Sequence, residues 1–421
     1  MFQIPRGTRD FSPLDMNKRK YLEEKFRNTF RSFGYNEIQT PTFETLELFT
    51  AKSGESIIEE IYSFEDKAGR KLALRPELTA AVIRFYVDKL QMEPKPLKLF
   101  YFGNCFRYDR PQKGRYREFM QAGCEIIGTN YYEAFAELIA LSYKILRNAG
   151  LKNIELKIGN LTILKSIFKQ FKISKDQEKY LVPLIDKKKY DDVKKALEDF
   201  NIKNSDINII LDLLKTDDIY KFEEYIDDKD TKEEFKLFLE IISLLKKSFK
   251  IKDCKIDMSI VRGLDYYKGL VFEIEAAILG AEKQICGGGV YELISLFGGT
   301  EIPTAGFAIG FDRTILALEL ENYKFPDLKI DFFIIPVNDN MLVKSIEIAQ
   351  DLRNAGLLVD IDLLRRGVGK ALKYANTKNA SYSVIVGPDE LEKDSVTIKD
   401  MKTGKQKIIA ISKIQNYDSF F

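Results

Sequence analysis

Apolar residues recur along this chain with two different spacings, and the change from one to the other marks its organisation. Ser12-Pro13-Leu14-Asp15 has the pattern of a helix start: a capping hydroxyl, proline at the first helical position and an acid near the positive end. Met16, Leu22, Phe26 and Phe30 then fall on one side of a helix that stops near Gly34. Residues 35–43 read as a strand interrupted at Pro41, which suits an edge or an interface. Residues 71–74 are short and extended, and Arg75-Pro76-Glu77-Leu78-Thr79 leads into a helix through about Leu90. A strongly amphipathic helix over 132–148 ends at Gly150.

Between these helices, residues 99–128 read as strand, basic loop, strand. Alternation puts Tyr101, Gly103, Cys105 and Arg107 on one face of the first strand, and Phe119, Gln121, Gly123 and Glu125 on one face of the second. If the two faces coincide, they present a guanidinium, an aromatic ring, an amide and a carboxylate, with Gly103 and Gly123 leaving room for a ligand. Arg110, Lys113 and Arg115 in the loop suit a polyphosphate, or are simply the solvated tip of a hairpin whose aromatic strands are core. Polar groups on a buried face need partners, either within the protein or from a ligand.

From about residue 162 to 251, Lys and Asp alternate with Leu, Ile and Phe at helical spacing, which predicts a helical insertion with solvated lysine runs. Strands are expected over 255–261 and 270–276. Gly287-Gly288-Gly289 is expected to turn the chain into a short helix over 291–297, leaving N–H groups to face an anion. Residues 304–309 read as a strand running through Gly310 into a helix that bears Asp312 and Arg313. An arginine in a first helical turn opposes the macrodipole, so Arg313 faces either a bound anion or a salt-bridge partner. Beyond Phe325-Pro326 the pattern becomes βαβαβ over 331–386, with a hairpin over 395–400 and 406–410: a small α/β domain. Its second helix gathers Arg365, Arg366, Lys370, Lys373 and Lys378 beside Tyr374, a footprint for unpaired RNA or simply a solvated helix face.

Composition narrows the chemistry. The chain has 421 residues, 45% hydrophobic and 31% charged, with a net charge of +2, so any nucleic-acid contact rests on local patches. No apolar run approaches the roughly 20 residues of a spanning helix, and the N-terminus lacks a signal-peptide core, so a cytoplasmic chain without membrane contact is expected. Four cysteines form no CxxC pair. Cys105 and Cys124 are placed to face each other across the hairpin, reduced in such a compartment. With no histidine, imidazole shuttles and histidine metal sites are excluded, no resident metal site is expected, and carboxylates, arginines and the substrates' own groups must serve.

These segments, in this order, resemble the class II aminoacyl-tRNA synthetases, and within them the histidyl-tRNA synthetase family. The resemblance spans nearly the whole chain. It rests on RGTRDFSP (6–13), the Pro41 strand as motif 1, RPELTA (75–80), FRYDRPQKGRYREF (106–119) as motif 2, VRGLDYYKGLVFE (261–273), GGGVYE (287–292) and GFAIGFDR (306–313) as motif 3. It implies an α+β fold: a class II antiparallel sheet core over 1–325, interrupted by the helical insertion at 162–251, and a C-terminal α/β anticodon-binding domain over 328–421. It also implies a homodimer with residues 35–44 near the interface.

The implied substrates are ATP with Mg²⁺, histidine and the histidine tRNA, joined through a histidyl-adenylate. By the same resemblance Arg107 holds the α-phosphate, Arg115 and Arg313 the γ-phosphate, and Phe119 stacks on adenine. Glu77, Thr79 and Gln121 grip the α-ammonium, and Glu125 and Tyr267 bond the imidazole, with Tyr266 and Tyr291 beside them. Arg262 lies between carboxylate and α-phosphate and is, with Arg107, the catalytic residue. The chain departs from the family pattern in two ways: Val290 replaces an arginine and Glu292 an aspartate after the glycines, and histidine is common where this chain has Met120 and in the segment around Asn160. Two alternatives share the resemblance, a non-catalytic regulatory paralogue that binds histidine and a class II synthetase for another amino acid. The C-terminal domain and the ATP-site arginines weigh against the first, Glu125 and RGLDYY against the second.

Overall fold

Helix Pro13–Ser32 begins as its sequence dictates. Ser12 and Asp15 form a reciprocal capping box with Pro13 at the first position, and Leu22, Phe26 and Phe30 are fully buried. Met16 departs from the expected stripe and stays exposed. The buried side rests on aromatic rings: Phe30 stacks on Phe100 of the main sheet at 4.7 Å between centroids, and Phe26 meets Phe311, the first residue of helix Phe311–Leu320, edge-on at 5.7 Å.

The computed structural model describes residues 2–53, 55–110, 114–261 and 267–414. The backbone divides into two units, Met1–Lys324 and Phe325–Phe421. In the first unit the strands are β1 (Asn36–Glu37), β2 (Phe43–Thr45), β3 (Ser63–Glu65), β4 (Lys71–Leu74), β5 (Leu97–Phe106), β6 (Glu118–Ile127), β7 (Glu155–Asn160), β8 (Cys254–Ile256), β9 (Tyr267–Glu275), β10 (Gln284–Tyr291) and β11 (Thr304–Gly310). β2, β4 and β3 make a small sheet. The other eight form the main sheet in the order β1-β5-β6-β11-β10-β9-β7-β8. Its ladders are antiparallel except for the parallel outermost pairs, β1 with β5 and β7 with β8. The strand before Pro41 therefore does lie at an edge.

The β5–β6 register sets the site. Gly103 faces Gln121, Tyr101 faces Gly123 and Leu99 faces Glu125, so the two predicted faces coincide. The same register puts Cys105 opposite Phe119 and Cys124 opposite Phe100, so the two thiols do not meet, and all four cysteines are free. The space over the two glycines is used by the protein itself. A Cβ at Gly123 would lie 2.7 Å from the Tyr101 hydroxyl, and one at Gly103 would run into the Arg75 guanidinium. Arg75 is buried there, donating to the carbonyls of Asn104, Thr40 and Pro41 at 2.8–3.0 Å.

Residues 161–247 form the insertion, with helices Leu161–Gln170, Lys175–Asp186, Tyr190–Asp199, Asn204–Lys215 and Lys229–Lys247. Leu181, Ile185, Val193, Leu197, Ile207 and Ile210 make its interior, and the lysine runs at 187–189, 194–195 and 246–247 are exposed. The strand expected over 255–261 contracts to β8.

The glycine triplet corrects the sequence expectation more sharply. Gly287, Gly288 and Gly289 lie inside β10, paired with β9 on one side and β11 on the other, so their N–H groups belong to a ladder rather than to an anion-binding turn. The absence of side chains serves packing. A Cβ at Gly288 would lie 2.6 Å from Phe307 Cβ, and one at Gly289 2.5 Å from the Leu270 carbonyl.

In the second unit, β12 (Ile330–Pro336), β13 (Val359–Ile361), β14 (Ala380–Val386), β15 (Ser395–Asp400) and β16 (Gln406–Ala410) order as β13-β12-β14-β15-β16, parallel over the first three. Alternate β12 residues serve opposite faces. Phe332 and Ile334 pack with Ile348 and Leu352 of helix Leu342–Asn354, and Phe333 and Ile335 with Ala371 and Ala375 of helix Val368–Thr377. Beside the latter helix the Arg366 guanidinium lies 4.0 Å over the Tyr374 ring and pairs with Asp362, while Arg365 pairs with Asp339 at 2.9 Å.

The close approach at the triplet sets a stability prediction. Gly288→Ala is expected to destabilise the first unit by about 1–3 kcal/mol, through overpacking against backbone that has no rotamer to change. Urea denaturation of the purified variant measures it, and an unchanged midpoint contradicts the packing role.

Candidate active site

Strand alternation sends Phe100 and Phe102 to the helix side of the sheet and leaves Tyr101, Cys105, Gln121 and Glu125 on the other side. Glu125 is the most constrained group there, only 1% exposed. The Tyr101 hydroxyl donates to its Oε1 at 2.7 Å and the Tyr291 hydroxyl to its Oε2. Room for the carboxylate comes from β11, where a Cβ at Gly306 would collide with it. Burial drives the Glu125 pKa up to about 7, against the pull of hydrogen bonds from Tyr291, Tyr101 and Thr79. Tyr267 opens β9 and stands edge-on to Tyr291, their ring centroids 6.2 Å apart. Thr79, Glu125, Tyr267 and Tyr291 are thus brought together, and Tyr101, which lies on the predicted face, joins them as an additional member.

A second cluster lines a cleft of about 370 Å³ that contains Arg107, Arg115, Phe119, Gln121 and Arg313. Arg107 donates through Nε to the Pro76 carbonyl at 3.0 Å, with its guanidinium 5.2 Å from the Phe119 ring centroid. Gln121 Oε1 accepts from the Cys105 thiol at 3.3 Å. Glu77 accepts from the N–H groups of Thr79 and Ala80 at 2.6 and 3.1 Å, fixing the start of helix Thr79–Phe85. Arg115 makes a forked pair with Asp109, at 2.9 and 3.0 Å.

Arg313, on the first turn of helix Phe311–Leu320, donates to the carbonyls of Gly114 and Gln284 at 3.1 and 2.9 Å and to Glu282 at 2.5 Å. Burial lowers its pKa; Glu282 opposes the shift, and the fields of Arg115 and Arg107 add to it. Arg313 therefore lies close enough to both of the other guanidinium groups to feel their repulsion. Arg262, Tyr266 and Lys113 lie outside the described residues, and Arg110 is exposed.

Three acids escaped the sequence reading as parts of this site: Asp109, Glu282 and Asp312. Asp312 takes Arg9 at 2.8 Å and Arg19 at 2.5 Å, and accepts from the Met120 N–H at 2.7 Å, tying the N-terminal segment to β6 beneath the cleft. Its place beside Arg313 in GFAIGFDR was a usable signal. Glu282 carries no sequence signal. Val290 lines a different cleft together with Lys268 and Glu292, which pair with each other.

A mainly antiparallel sheet carrying two arginine-bearing motifs and a glycine-lined buried carboxylate defines a class II synthetase core. A family model described as "Histidyl-tRNA synthetase" matches residues 7–314, and one described as "Anticodon binding domain" matches 331–417. The chain is 44% identical to a histidine–tRNA ligase of Methanocaldococcus jannaschii, with 99% of each chain covered. It is 42% identical to that of Methanosarcina acetivorans, with 97% of each covered. The crystal structure of histidyl-tRNA synthetase from Nostoc sp. PCC 7120 is similar with a TM-score of 0.86 at 25% identity, covering 99% of this chain and 98% of that one. This chain belongs to the histidyl-tRNA synthetase family.

Glu125 provides a prediction with a definite sign. Its pKa in the folded chain, about 7, exceeds the ordinary 4.5, so ionising it costs stability at higher pH. Glu125→Gln is expected to raise Tm at about pH 8 and to lose that advantage below about pH 4.5, where both states carry the proton. Thermal melts across this range test it; an equal Tm at every pH rules out a buried, costly carboxylate.

Proposed function

We propose that this chain attaches histidine to its tRNA in two steps, with ATP first forming a histidyl-adenylate and releasing pyrophosphate. Mg²⁺ enters on the ATP phosphates, as part of that substrate. The carrying observation is the common face of β5 and β6. Phe119, Gln121, Gly123 and Glu125 follow one another along a strand with alternate residues between them, so ring and carboxylate stand about 20 Å apart along it. The arginines gather at the Phe119 end and the tyrosines at the Glu125 end. That layout suits a substrate pair with an aromatic base and polyphosphate at one end and an imidazole at the other.

The chemical demand follows from charge. An anionic carboxylate must attack an anionic α-phosphate, so fixed positive charge has to stand where negative charge accumulates. In this reading Arg107 holds the α-phosphate, and Arg115 and Arg313 hold the γ-phosphate. Arg262 takes the place between carboxylate and α-phosphate that the family resemblance assigns it. Phe119 stacks on adenine. Glu77, Thr79 and Gln121 hold the α-ammonium, with Gln121 using the lone pair that Cys105 leaves. Glu125 accepts an imidazole N–H, Tyr267 and Tyr291 complete the enclosure, and Tyr266 joins the histidine site by the family resemblance alone. No protein histidine is required, because the attacking carboxylate arrives ionised and orientation supplies much of the rest. A buried acceptor also rejects side chains that cannot donate to it, since an unpaired Glu125 is costly.

The basic cluster around Tyr374 takes unpaired bases of the anticodon in the same reading, its Arg366 and Lys378 lying against the ring at 4.0 and 5.4 Å. Two copies pair through residues 35–44, consistent with β1 at the sheet edge and Phe43 half exposed. The cytoplasm, where tRNA is charged, is the proposed compartment.

Pyrophosphate exchange and tRNA charging test the proposal. Purified protein is expected to exchange pyrophosphate into ATP only with histidine and to charge one acceptor in total tRNA. Arg313→Ala is expected to slow exchange roughly 10²–10³-fold, the scale of losing one fixed donor at developing charge. No exchange with any amino acid leaves the regulatory reading standing, and exchange with a different amino acid reassigns the pocket.

A further inference from the structure

The end of Arg313 offered to the cleft holds a carboxylate. Its Nε and one terminal nitrogen are fixed on the backbone carbonyls of Gly114 and Gln284, and the other terminal nitrogen meets Glu282 at 2.5 Å. The second Glu282 oxygen lies 3.9 Å from Arg115, itself forked onto Asp109. A carboxylate presents charged oxygens to a guanidinium much as a phosphate does. Glu282 thus stands between the two side chains assigned above to the γ-phosphate.

We propose that Glu282 is a displaceable counter-anion of the phosphate site, occupying Arg313 and Arg115 until ATP arrives and returning as pyrophosphate leaves. The inference rests on the ATP site proposed above and adds a residue that governs entry and exit. Three features carry it. Arg313 has two backbone carbonyls as partners besides Glu282, so the carboxylate competes for the site more than it builds it. Glu282 ends the segment Ala277–Glu282 between β9 and β10, two short helical pieces kinked at Gly280 (φ +68°), where Ile278, Gly280 and Ala281 are exposed. The turn itself carries no ladder pairing, being closed by the Ala276 N–H on the Lys283 carbonyl at 2.8 Å, and the β9–β10 ladder shifts register just beyond it, between Gln284 and Cys286. Lastly, Arg313 faces the repulsion of Arg115 and Arg107 in the same cleft, and Glu282 is the carboxylate the chain itself sets against it.

Removing the competitor strengthens binding of any anion that must displace it. Titration calorimetry of the full chain, with ATP and separately with pyrophosphate, with and without Mg²⁺, reads this directly. Glu282→Gln, and Glu282→Ala as a second variant, are expected to bind both about fivefold tighter, the scale of one partly exposed charge pair. Histidine affinity is expected to stay unchanged. Unchanged or weaker binding of both anions overturns the proposal. Weakening seen only with Mg²⁺ also overturns it, by making Glu282 a metal ligand. Arg313→Ala separates the two levels of argument. If it leaves ATP affinity intact, the ATP site fails and the counter-anion with it; if it weakens ATP while Glu282→Gln has no effect, only the counter-anion fails.

Discussion

The pairing of Leu99 with Glu125 and of Gly103 with Gln121 governs everything on the working face of the sheet. Strand side chains alternate, so a slip of one residue in β6 would send Phe119, Gln121 and Glu125 to the helix side and bring Met120, Ala122 and Cys124 in their place. Register is held by what lies on the opposite face. Phe30 stacks on Phe100 and approaches Phe307, and Phe102 packs against Phe311, so slipping would dismantle an aromatic cluster as well as a site. The core thereby specifies the chemistry indirectly, by making one alignment of two strands more favourable than its neighbours.

Within that frame the site is assembled against local stability. Glu125 loses its water and keeps three hydroxyl partners, yet burial still outweighs them. Arg313 is half-buried beside two other guanidinium groups. Such groups persist because neighbouring elements leave no room to escape. Gly306 admits the carboxylate, Gly123 admits the Tyr101 ring that reaches it, and the carbonyls of Gly114 and Gln284 pin the arginine. Glycine on this sheet therefore makes space for the protein's own polar side chains.

That point separates what was legible in the sequence from what was not. The capping box at Ser12, the Gly150 helix end, the shared face of the β5–β6 hairpin and the βαβαβ order of the second unit all follow from local spacing. The triplet at 287–289 was misread because glycine signals a turn in isolation, whereas its neighbours here come from β9 and β11, at remote positions in the chain. The space over Gly103 and Gly123 failed for the same reason, since Arg75 and Tyr101 arrive to fill it. Arg313 was legible as an arginine needing an anion, but its partner Glu282 was not, because nothing local relates the two.

The missing histidines sharpen the electrostatic argument. Among ordinary side chains imidazole alone titrates near neutrality without perturbation, and this chain has none. Glu125, moved to about 7 by burial, is the carboxylate brought into that range, and it sits where an imidazole is proposed to bind. Ligand and site then titrate over neighbouring intervals with opposite consequences. Loss of a proton makes Glu125 a better acceptor, while gain of one gives the imidazole a second N–H to donate. In the proposed complex the pair is best matched when a single proton is shared between them, so histidine binding there follows their combined proton count rather than either group alone.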